Sequence, residues 1–259
     1  MSVVMTETRG TSMVITINRP EQRNAFNRAV IEGISQGVRE AMESGQHRAI
    51  VLTAAGEKAF CAGGDLGGAA DGAPFSVNPS DPRNFLIDYF KLLETCELPV
   101  IARVNGHALA GGLGILAACD LAVAADHSLF GVPEAKIGIF PMMILPVLLR
   151  TVPLRKLMEM CMTAQPVSAH EAKELGLVNH VVPAGELDAR VDALVAAVSA
   201  VSPTAIRMGK HGFHAMRDMG IRQAWEFAEL MLPMMAATED AKEGLSAFRE
   251  KRAPKFTGR

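Results

Sequence analysis

Two glycine clusters that each follow a strongly apolar, β-branched run constrain the fold of this 259-residue chain more than any other feature. Residues 59–66 (AFCAGGDL) follow the run 49–52 (AIVL), and residues 105–112 (NGHALAGG) follow the run 99–102 (PVIA). A strand that ends in a glycine turn exposes backbone N–H groups where a ligand can approach closely. Two such turns facing each other would offer two donors to one oxygen atom, the arrangement that stabilises a developing oxyanion. Either cluster alone is also compatible with a turn that only redirects the chain.

The bulk composition excludes several classes of protein. Hydrophobic residues make up 49% of the chain and charged residues 21%, which is ordinary for a globular enzyme. The formal net charge is -2 and no basic run occurs, which argues against nucleic-acid binding. The N-terminus lacks an apolar signal core, and no apolar stretch approaches the length of a membrane span. The cysteines are widely spaced and are expected to be reduced thiols of a cytoplasmic protein: Cys61, Cys96, Cys119 and Cys161.

Hydrophobic periodicity predicts an α/β core over residues 1–200 and a helical region over residues 201–259. Residues 67–82 are rich in Gly, Ala, Asp, Asn, Ser and Pro, and are either a mobile lid or a plain surface loop. The predicted strands are 13–17, 48–53, 99–102, 121–124 and 178–182. The predicted helices are 27–43, 83–97, 113–119, 141–163 with breaks at Pro146 and Pro153, 168–176, 203–216, 220–235 and 238–249.

The order of five motifs makes the chain resemble the crotonase superfamily, the enoyl-CoA hydratases and isomerases. The motifs are residues 18–25, 59–66, 105–120, 130–134 and 248–252, and the resemblance extends over nearly the whole chain. The resemblance implies an α/β fold built as a spiral of ββα units, with a helical C-terminal region that mediates trimer contacts. It also implies an acyl-CoA substrate, a homotrimer or a hexamer, no metal, and no cofactor beyond the CoA moiety of the substrate.

The resemblance further implies roles for individual residues. The backbone N–H groups of Gly64 and Gly111 match the two oxyanion donors, and Glu134 matches the acid/base. The apolar context of Glu134 would raise its pKa, although the residues alone are also consistent with a surface glutamate paired with Lys136 or a glutamate at the N-terminus of a helix. The positions that match CoA contacts are Arg23, Asn24, Ala25, Ala62, Gly64, Asp65, Leu66, Phe248 and Lys251, with Lys58 and Lys255 as weaker candidates.

One departure from the family pattern bears on the reaction. Many family hydratases carry a second catalytic glutamate where this chain has Gly114. A single carboxylate suffices for Δ3,Δ2-enoyl-CoA isomerisation, because it removes a proton at one carbon and returns it two carbons away. The alternative is that another acid enters the site; the candidates are Asp65, Asp71, Asp81, Asp88 or a residue of the predicted lid.

A second departure is the bulky apolar segment 140–146, where common family hydratases have a glycine-rich turn. Phe140, Met142 and Met143 either line an acyl pocket together with Gly114 or belong to the ordinary core.

Other chemistries lack their motifs. The sequence contains no HExxH, GxxxxGK[ST] or GxGxxG pattern, and His211 and His214 have no recognisable partner ligand. Residues 33–37 (GISQG) match GxSxG, but they fall inside the predicted helix 27–43 and so form no strand-to-helix elbow. The leading hypothesis is therefore an enoyl-CoA isomerase. The alternatives are a hydratase with a non-standard second acid/base, another enolate reaction such as decarboxylation, and a catalytically weak CoA-binding oligomer.

Overall fold

Two β-sheets and ten α-helices make up the chain in a computed structural model that describes residues 2–67, 80 and 83–259. The strands are β1 Val4–Arg9, β2 Ser12–Ile17, β3 Ala49–Ala54, β4 Ala59–Cys61, β5 Val100–Val104, β6 His107–Leu109, β7 Leu121–Ala125, β8 Leu129–Gly131, β9 Val167–Ser168 and β10 His180–Val182. The helices are α1 Arg28–Ser44, α2 Phe85–Thr95, α3 Gly111–Ala117, α4 Leu145–Leu148, α5 Leu154–Thr163, α6 Ala169–Glu174, α7 Leu187–Ser199, α8 Pro203–Arg217, α9 Ile221–Ala236 and α10 Glu239–Glu250.

The larger sheet has six strands in the order β1-β2-β3-β5-β7-β10. Strand β1 is antiparallel to β2, and the other neighbours are parallel. Every residue of β3 is buried, as expected for a parallel strand covered on both faces. Apolar residues of α1 pack on one face, and Leu187 and Val191 of α7 pack on the other. Periodicity did not predict α7.

The smaller sheet has the order β4-β6-β8-β9 and carries the glycine turns. Strands β4, β6 and β8 each follow a strand of the larger sheet after a short corner, so the same ββ unit occurs three times and is followed by a helix or helical turn. This architecture agrees with the predicted crotonase-type α/β fold. None of these three-residue strands was predicted, because three residues are too few to show an alternation of period two.

Several helix boundaries follow from local capping. The side chain of Asn27 accepts the N–H of Val30 at the start of α1, and Gly45 ends that helix with φ 63°. Ser168 and Glu171 form the predicted capping box of α6. The predicted break at Pro146 is wrong, because this proline lies in the first turn of α4, where its missing N–H has no partner to lose.

The last three helices, α8 to α10, follow the predicted spans closely. The C-terminal tail is tied to them by buried Asp240, whose carboxylate accepts hydrogen bonds from Ser202, Thr257 and Gly258 and has a pKa lowered to about 2 despite the cost of burial. None of the residues 221–236, all of which the structure describes, is buried. The exposed apolar side chains of α9 are Ile221, Trp225, Leu230, Leu232 and Met234.

The predicted lid lies largely outside the described residues, since 68–79 and 81–82 are not among them. Within the described part of the chain, no single helix has both the length and the apolar composition needed to cross a membrane. One pair of helices, Ala184–Ser199 with Pro203–Arg217, meets those two criteria jointly, with a bend of 99° between them. All four cysteines are free, as their spacing predicted.

Candidate active site

A cavity of about 680 Å³ lies where the two glycine turns approach the helical turn after β8. Gly64 of the first turn, Gly111 of the second and Glu134 all line it. The three residues are far apart in sequence, and the smaller sheet brings them together because β4, β6 and β8 end side by side. We call this space the front cavity.

Polar contacts hold the first turn in place. The Phe26 N–H donates to the Gly63 carbonyl oxygen (2.9 Å), and the Asp65 N–H donates to the Phe26 carbonyl oxygen (2.7 Å). The Asp65 carboxylate in turn accepts from the Arg19 guanidinium at 2.7 Å. That hydrogen bond is the main reason why the pKa of Asp65 lies below its ordinary value. Gly64 is therefore fixed between two anchored residues.

Close packing holds the second turn. Ala110 has φ 51° and ψ -133°, a conformation that is costly for a residue with a side chain, and its N–H donates to the Gly131 carbonyl oxygen (2.9 Å). Gly111 then begins α3. A Cβ on Gly63 would stand 2.7 Å from the Ala110 Cβ and 3.7 Å from the Gly111 nitrogen, so the two turns touch.

The two glycine N–H groups are available to a ligand. Among the described residues, no backbone acceptor receives a hydrogen bond from the N–H of Gly64 or of Gly111. For Gly111 the reason is that the first N–H groups of a helix have no intrahelical partner. Both residues line the front cavity. This geometry provides two backbone donors beside one cavity, which is what a developing oxyanion needs.

Glu134 supplies a carboxyl group to the front cavity. It lies in a helical turn that spans Pro133–Ile137, and only 9% of its surface is exposed. Burial raises the pKa of its carboxyl group above the ordinary value. Its Oε2 atom is buried and has no hydrogen-bond partner among the described atoms. The alternative of a surface glutamate is thereby excluded.

The family model described as enoyl-CoA hydratase/isomerase matches residues 7–259. This chain belongs to that family. It is therefore an enzyme of a family that acts on enoyl-CoA. The short-chain-enoyl-CoA hydratase of Clostridium acetobutylicum is 34% identical over 253 residues, which cover 96% of this chain and 95% of the relative.

Solved structures agree with this membership. The crystal structure of enoyl-CoA hydratase from Mycobacterium smegmatis is 33% identical, covers 98% of each chain and superposes with a TM-score of 0.88. That of enoyl-CoA hydratase from Mycobacterium tuberculosis H37Rv is also 33% identical, covers 100% of each chain and has a TM-score of 0.88. Family membership therefore extends over the full architecture, including both glycine turns.

The space beside Gly114, the position that the resemblance matched to a second glutamate, is filled by other side chains. A Cβ on Gly114 would stand 2.2 Å from Cγ2 and 2.7 Å from Cβ of Ile144, and 3.3 Å from Cζ of Phe90. Gly114 is buried and is not among the described residues that line the front cavity, whereas Ile144 lines it. A side chain at position 114 would have to displace Ile144, which is 2% exposed.

The other candidate acids do not join Glu134. Asp65 is held by Arg19, and Asp88 is an exposed residue in the first turn of α2 that does not line the front cavity. Asp71 and Asp81 lie outside the described residues. Among the residues that the structure describes, Glu134 is the one carboxylate on the wall of the front cavity.

The predicted acyl-pocket residues Phe140, Met142 and Met143 do line the front cavity. Phe140 and Met142 are exposed, and Met143 is half-buried. Phe140 and Met142 are therefore not core residues, whereas Ile144 of the same segment belongs to the hydrophobic core and Met143 packs against it. Gly114, the fourth member of the predicted set, lies behind Ile144.

The predicted CoA-contacting residues fall into three groups. Ala62, Gly64 and Leu66 line the front cavity, and Ala62 also lines a neighbouring cleft of about 730 Å³ together with Arg23 and with Lys58. The second group consists of residues that bond to other parts of the protein. Asp65 belongs to it because of its ion pair with Arg19. Asn24 is buried, with its side chain bonded to Arg19, Ala55 and Ala59, and the Ala25 carbonyl accepts from Arg19.

The third group lies at the exposed end of α10. Phe248 is 84% exposed, and Lys251 caps the helix with φ 56°. Neither is among the described residues that line the front cavity or the neighbouring cleft. The weaker candidate Lys255 donates its backbone N–H to Glu243.

Sequence reasoning missed two residues of the site. Arg19 bridges Ala25 and Asp65 and so ties the turn after β2 to the first glycine turn. Arg19 lies in the motif 18–25, so that motif could have indicated a role for it in the site. No sequence motif pointed to Ile144. It is an apolar residue thirty positions from Gly114, and local sequence patterns do not predict contacts over that distance.

Proposed function

We propose that this enzyme is a Δ3,Δ2-enoyl-CoA isomerase. The observation that carries the proposal is the single carboxylate, Glu134, on the described wall of the front cavity, together with the filling of the second acid's place by Ile144. A hydratase of the standard type uses two carboxylates to hold and activate one water molecule. An isomerase needs one carboxylate in a largely apolar cavity, and that is what the side chains around Glu134 provide.

The proposed reaction moves one proton. The Glu134 carboxylate takes a proton from C2 of a 3-enoyl-CoA, and the electron pair of that C–H bond delocalises onto the thioester oxygen. The N–H groups of Gly64 and Gly111 stabilise the resulting dienolate oxygen. The protonated Glu134 then gives the proton to C4, and the double bond finishes between C2 and C3. The raised pKa of Glu134 suits both steps, because the group must accept a proton and then release it.

The CoA moiety is proposed to leave the front cavity beside Ala62 and to continue along the neighbouring cleft. Arg23 and Lys58 line that cleft and would attract its phosphates. No further cofactor or metal is invoked in the reaction. The acyl group is assigned to the front cavity because its walls are mainly apolar. The CoA phosphates are assigned to the cleft because it carries basic side chains.

The deciding experiment offers the purified protein a 3-enoyl-CoA and, separately, a 2-enoyl-CoA, with product identification by mass spectrometry. Appearance of 2-enoyl-CoA from the first substrate, with no loss of the second, is the expected result. The variant Glu134→Gln should lose turnover by about 10²–10⁴-fold while retaining affinity for acyl-CoA, because only the proton transfer is removed.

Hydration of a 2-enoyl-CoA is the second candidate, favoured by the names of similar proteins such as the hydratase of Clostridium acetobutylicum. Formation of 3-hydroxyacyl-CoA from the 2-enoyl-CoA would support it and would overturn the isomerase assignment. Absence of turnover with either substrate, with acyl-CoA still bound, would instead support a CoA-binding protein.

We also propose a homo-oligomer, a trimer or a dimer of trimers. The support is α9, whose exposed apolar side chains have no partner within the described residues of one chain. Light scattering on the purified protein tests this, and Trp225→Glu on α9 should shift the mass toward that of one chain.

A further inference from the structure

A second large cavity lies directly behind the front cavity. It has a volume of about 810 Å³ and is bordered by residues of α2, α3, α4 and α8. We call it the rear cavity. The apolar side chains that line it include Phe90, Leu116, Val147, Leu177, Ile206 and Phe213.

Only a thin wall of side chains separates the two cavities. Met143 lines both of them. Ile144 lines the front cavity and Phe90 the rear one, and both have an atom within 3.3 Å of the point where a Cβ on Gly114 would stand. Met143 is half-buried, and a methionine side chain is unbranched and changes rotamer at low cost. Met143 is therefore the residue of this wall best suited to move aside.

The charges beside the rear cavity do not call for an ionic ligand. Ion pairs join Lys210 to Asp120 at 2.6 Å, Arg150 to Asp218 at 2.7 Å and Arg217 to Glu94 at 3.5 Å. Lys91, which also lines the cavity, is exposed to solvent. Because these charges are already paired or exposed to solvent, the ligand that gains most from the rear cavity is an uncharged, apolar one. A flexible hydrocarbon chain is such a ligand. It is also narrow enough to pass through an opening left by the movement of one side chain.

We propose that the rear cavity receives the distal part of a long, unbranched acyl chain whose thioester is bound at Glu134 in the front cavity. The chain passes Met143, which acts as the gate. The substrate class is therefore long-chain, straight acyl-CoA. This inference rests on the proposed acyl-CoA site at Glu134, but not on the identity of the reaction catalysed there.

The test measures dissociation constants of saturated, unreactive acyl-CoAs from C4 to C16, below their critical micelle concentrations. Each buried methylene should improve affinity about threefold to fourfold, so affinity should keep rising beyond C8. A plateau at C8 or shorter would overturn the proposal.

The plug variant is Gly209→Phe. Gly209 lines the rear cavity, and a Cβ there would meet no heavy atom within 4 Å, so the new ring enters open space rather than the core. We expect it to weaken binding of C14 acyl-CoA about tenfold more than binding of C4 acyl-CoA. A second variant, Met143→Trp, closes the gate and should give the same chain-length profile.

The matched control is Gly185→Phe, because a Cβ on Gly185 also meets nothing within 4 Å and Gly185 is not among the residues that line either cavity. Ala184 and Leu187, on either side of it, line the neighbouring cleft, so any effect of this variant acts on the CoA moiety and should be the same for C4 and C14 acyl-CoA. The proposal would be overturned if both glycine variants changed the ratio of C14 to C4 acyl-CoA affinity equally. Loss of isomerase turnover at every chain length, with the binding profile intact, would refute the proposed reaction and leave the rear-cavity site standing.

Discussion

Gly64 and Gly111, in the two glycine turns, line the same cavity, but different forces hold the two turns. The first turn depends on polar contacts, above all the Arg19–Asp65 ion pair and the hydrogen bonds to Phe26. The second depends on steric fit, since side chains or backbone fill the space around Gly111 and Gly112. The first turn should therefore respond to charge and pH, and the second to volume.

The difference follows from position. The first turn leads into residues at the surface, and both Arg19 and Asp65 remain partly exposed. The second turn opens into α3, whose residues 112–116 are buried. Buried backbone tolerates little change in volume because protein interiors are closely packed. A partly exposed ion pair has a smaller energetic effect.

The largest effect is expected from Gly112→Ala. A Cβ there would stand 2.3 Å from the carbonyl oxygen of Cys61, and a backbone atom cannot move aside as a flexible side chain can. We expect a loss of at least about 3 kcal/mol in the free energy of unfolding, with loss of turnover. Denaturant unfolding measures it. The control Gly244→Ala, whose Cβ would make only an ordinary contact with Phe256, should stay within about 1 kcal/mol of the parent.

Arg19→Met should have the next largest effect. It removes the partner of Asp65 and frees the first turn, so Gly64 is no longer held at a fixed place. We expect kcat/KM to fall about 10- to 100-fold, since small misplacement of catalytic groups is costly. The exposed ion pair Arg9–Asp192 supplies the control, and Arg9→Met should leave kcat/KM as it is. Equal kinetics for the two variants would contradict the role given to Arg19.

Acidification should stop the reaction before it loosens the first turn. Burial raises the pKa of Glu134 above 4.5, whereas the hydrogen bond from Arg19 lowers the pKa of Asp65 below 3.8. Glu134 must be ionised to accept a proton, so kcat/KM falls as the pH drops through its raised pKa. The stability contributed by Asp65 is present above its unfolded pKa and is lost only as the pH falls through its depressed folded pKa.

Two pH profiles check this order. One follows kcat/KM of the parent, and the other follows the difference in free energy of unfolding between the parent and Asp65→Asn. If the stability difference vanished at a higher pH than the acid limb of kcat/KM, the assignment of the two pKa shifts would be wrong.

The smallest effect is expected from Ala110→Gly. Glycine adopts φ 51° without the strain that alanine bears there, but it is more flexible in the unfolded chain. We expect the free energy of unfolding to rise by about 1 kcal/mol, with kcat/KM changed by no more than about threefold. Thermal unfolding with parallel kinetics measures both. A decrease in stability would mean that the Ala110 side chain contributes more through packing than its backbone costs.

Much of the larger sheet and most helices followed from local patterns. Helix α1 was predicted because its apolar residues recur with helical spacing between a good N-cap, Asn27, and the C-cap Gly45. Strand β3 was predicted because it is a continuous β-branched run. The smaller sheet was not predicted, since strands of three residues owe their existence to pairing partners that lie far along the chain.

By itself, the sequence determined the family, the α/β class and the glycine turns, because these depend on residue types at short spacing and on the order of motifs. Tertiary structure alone decided that Ile144 fills the space beside Gly114, that Oε2 of Glu134 is buried without a hydrogen-bond partner among the described atoms, and that Met143 lines two cavities. Burial and contact arise when distant segments pack against each other. Local sequence patterns therefore do not predict which side chains are in contact.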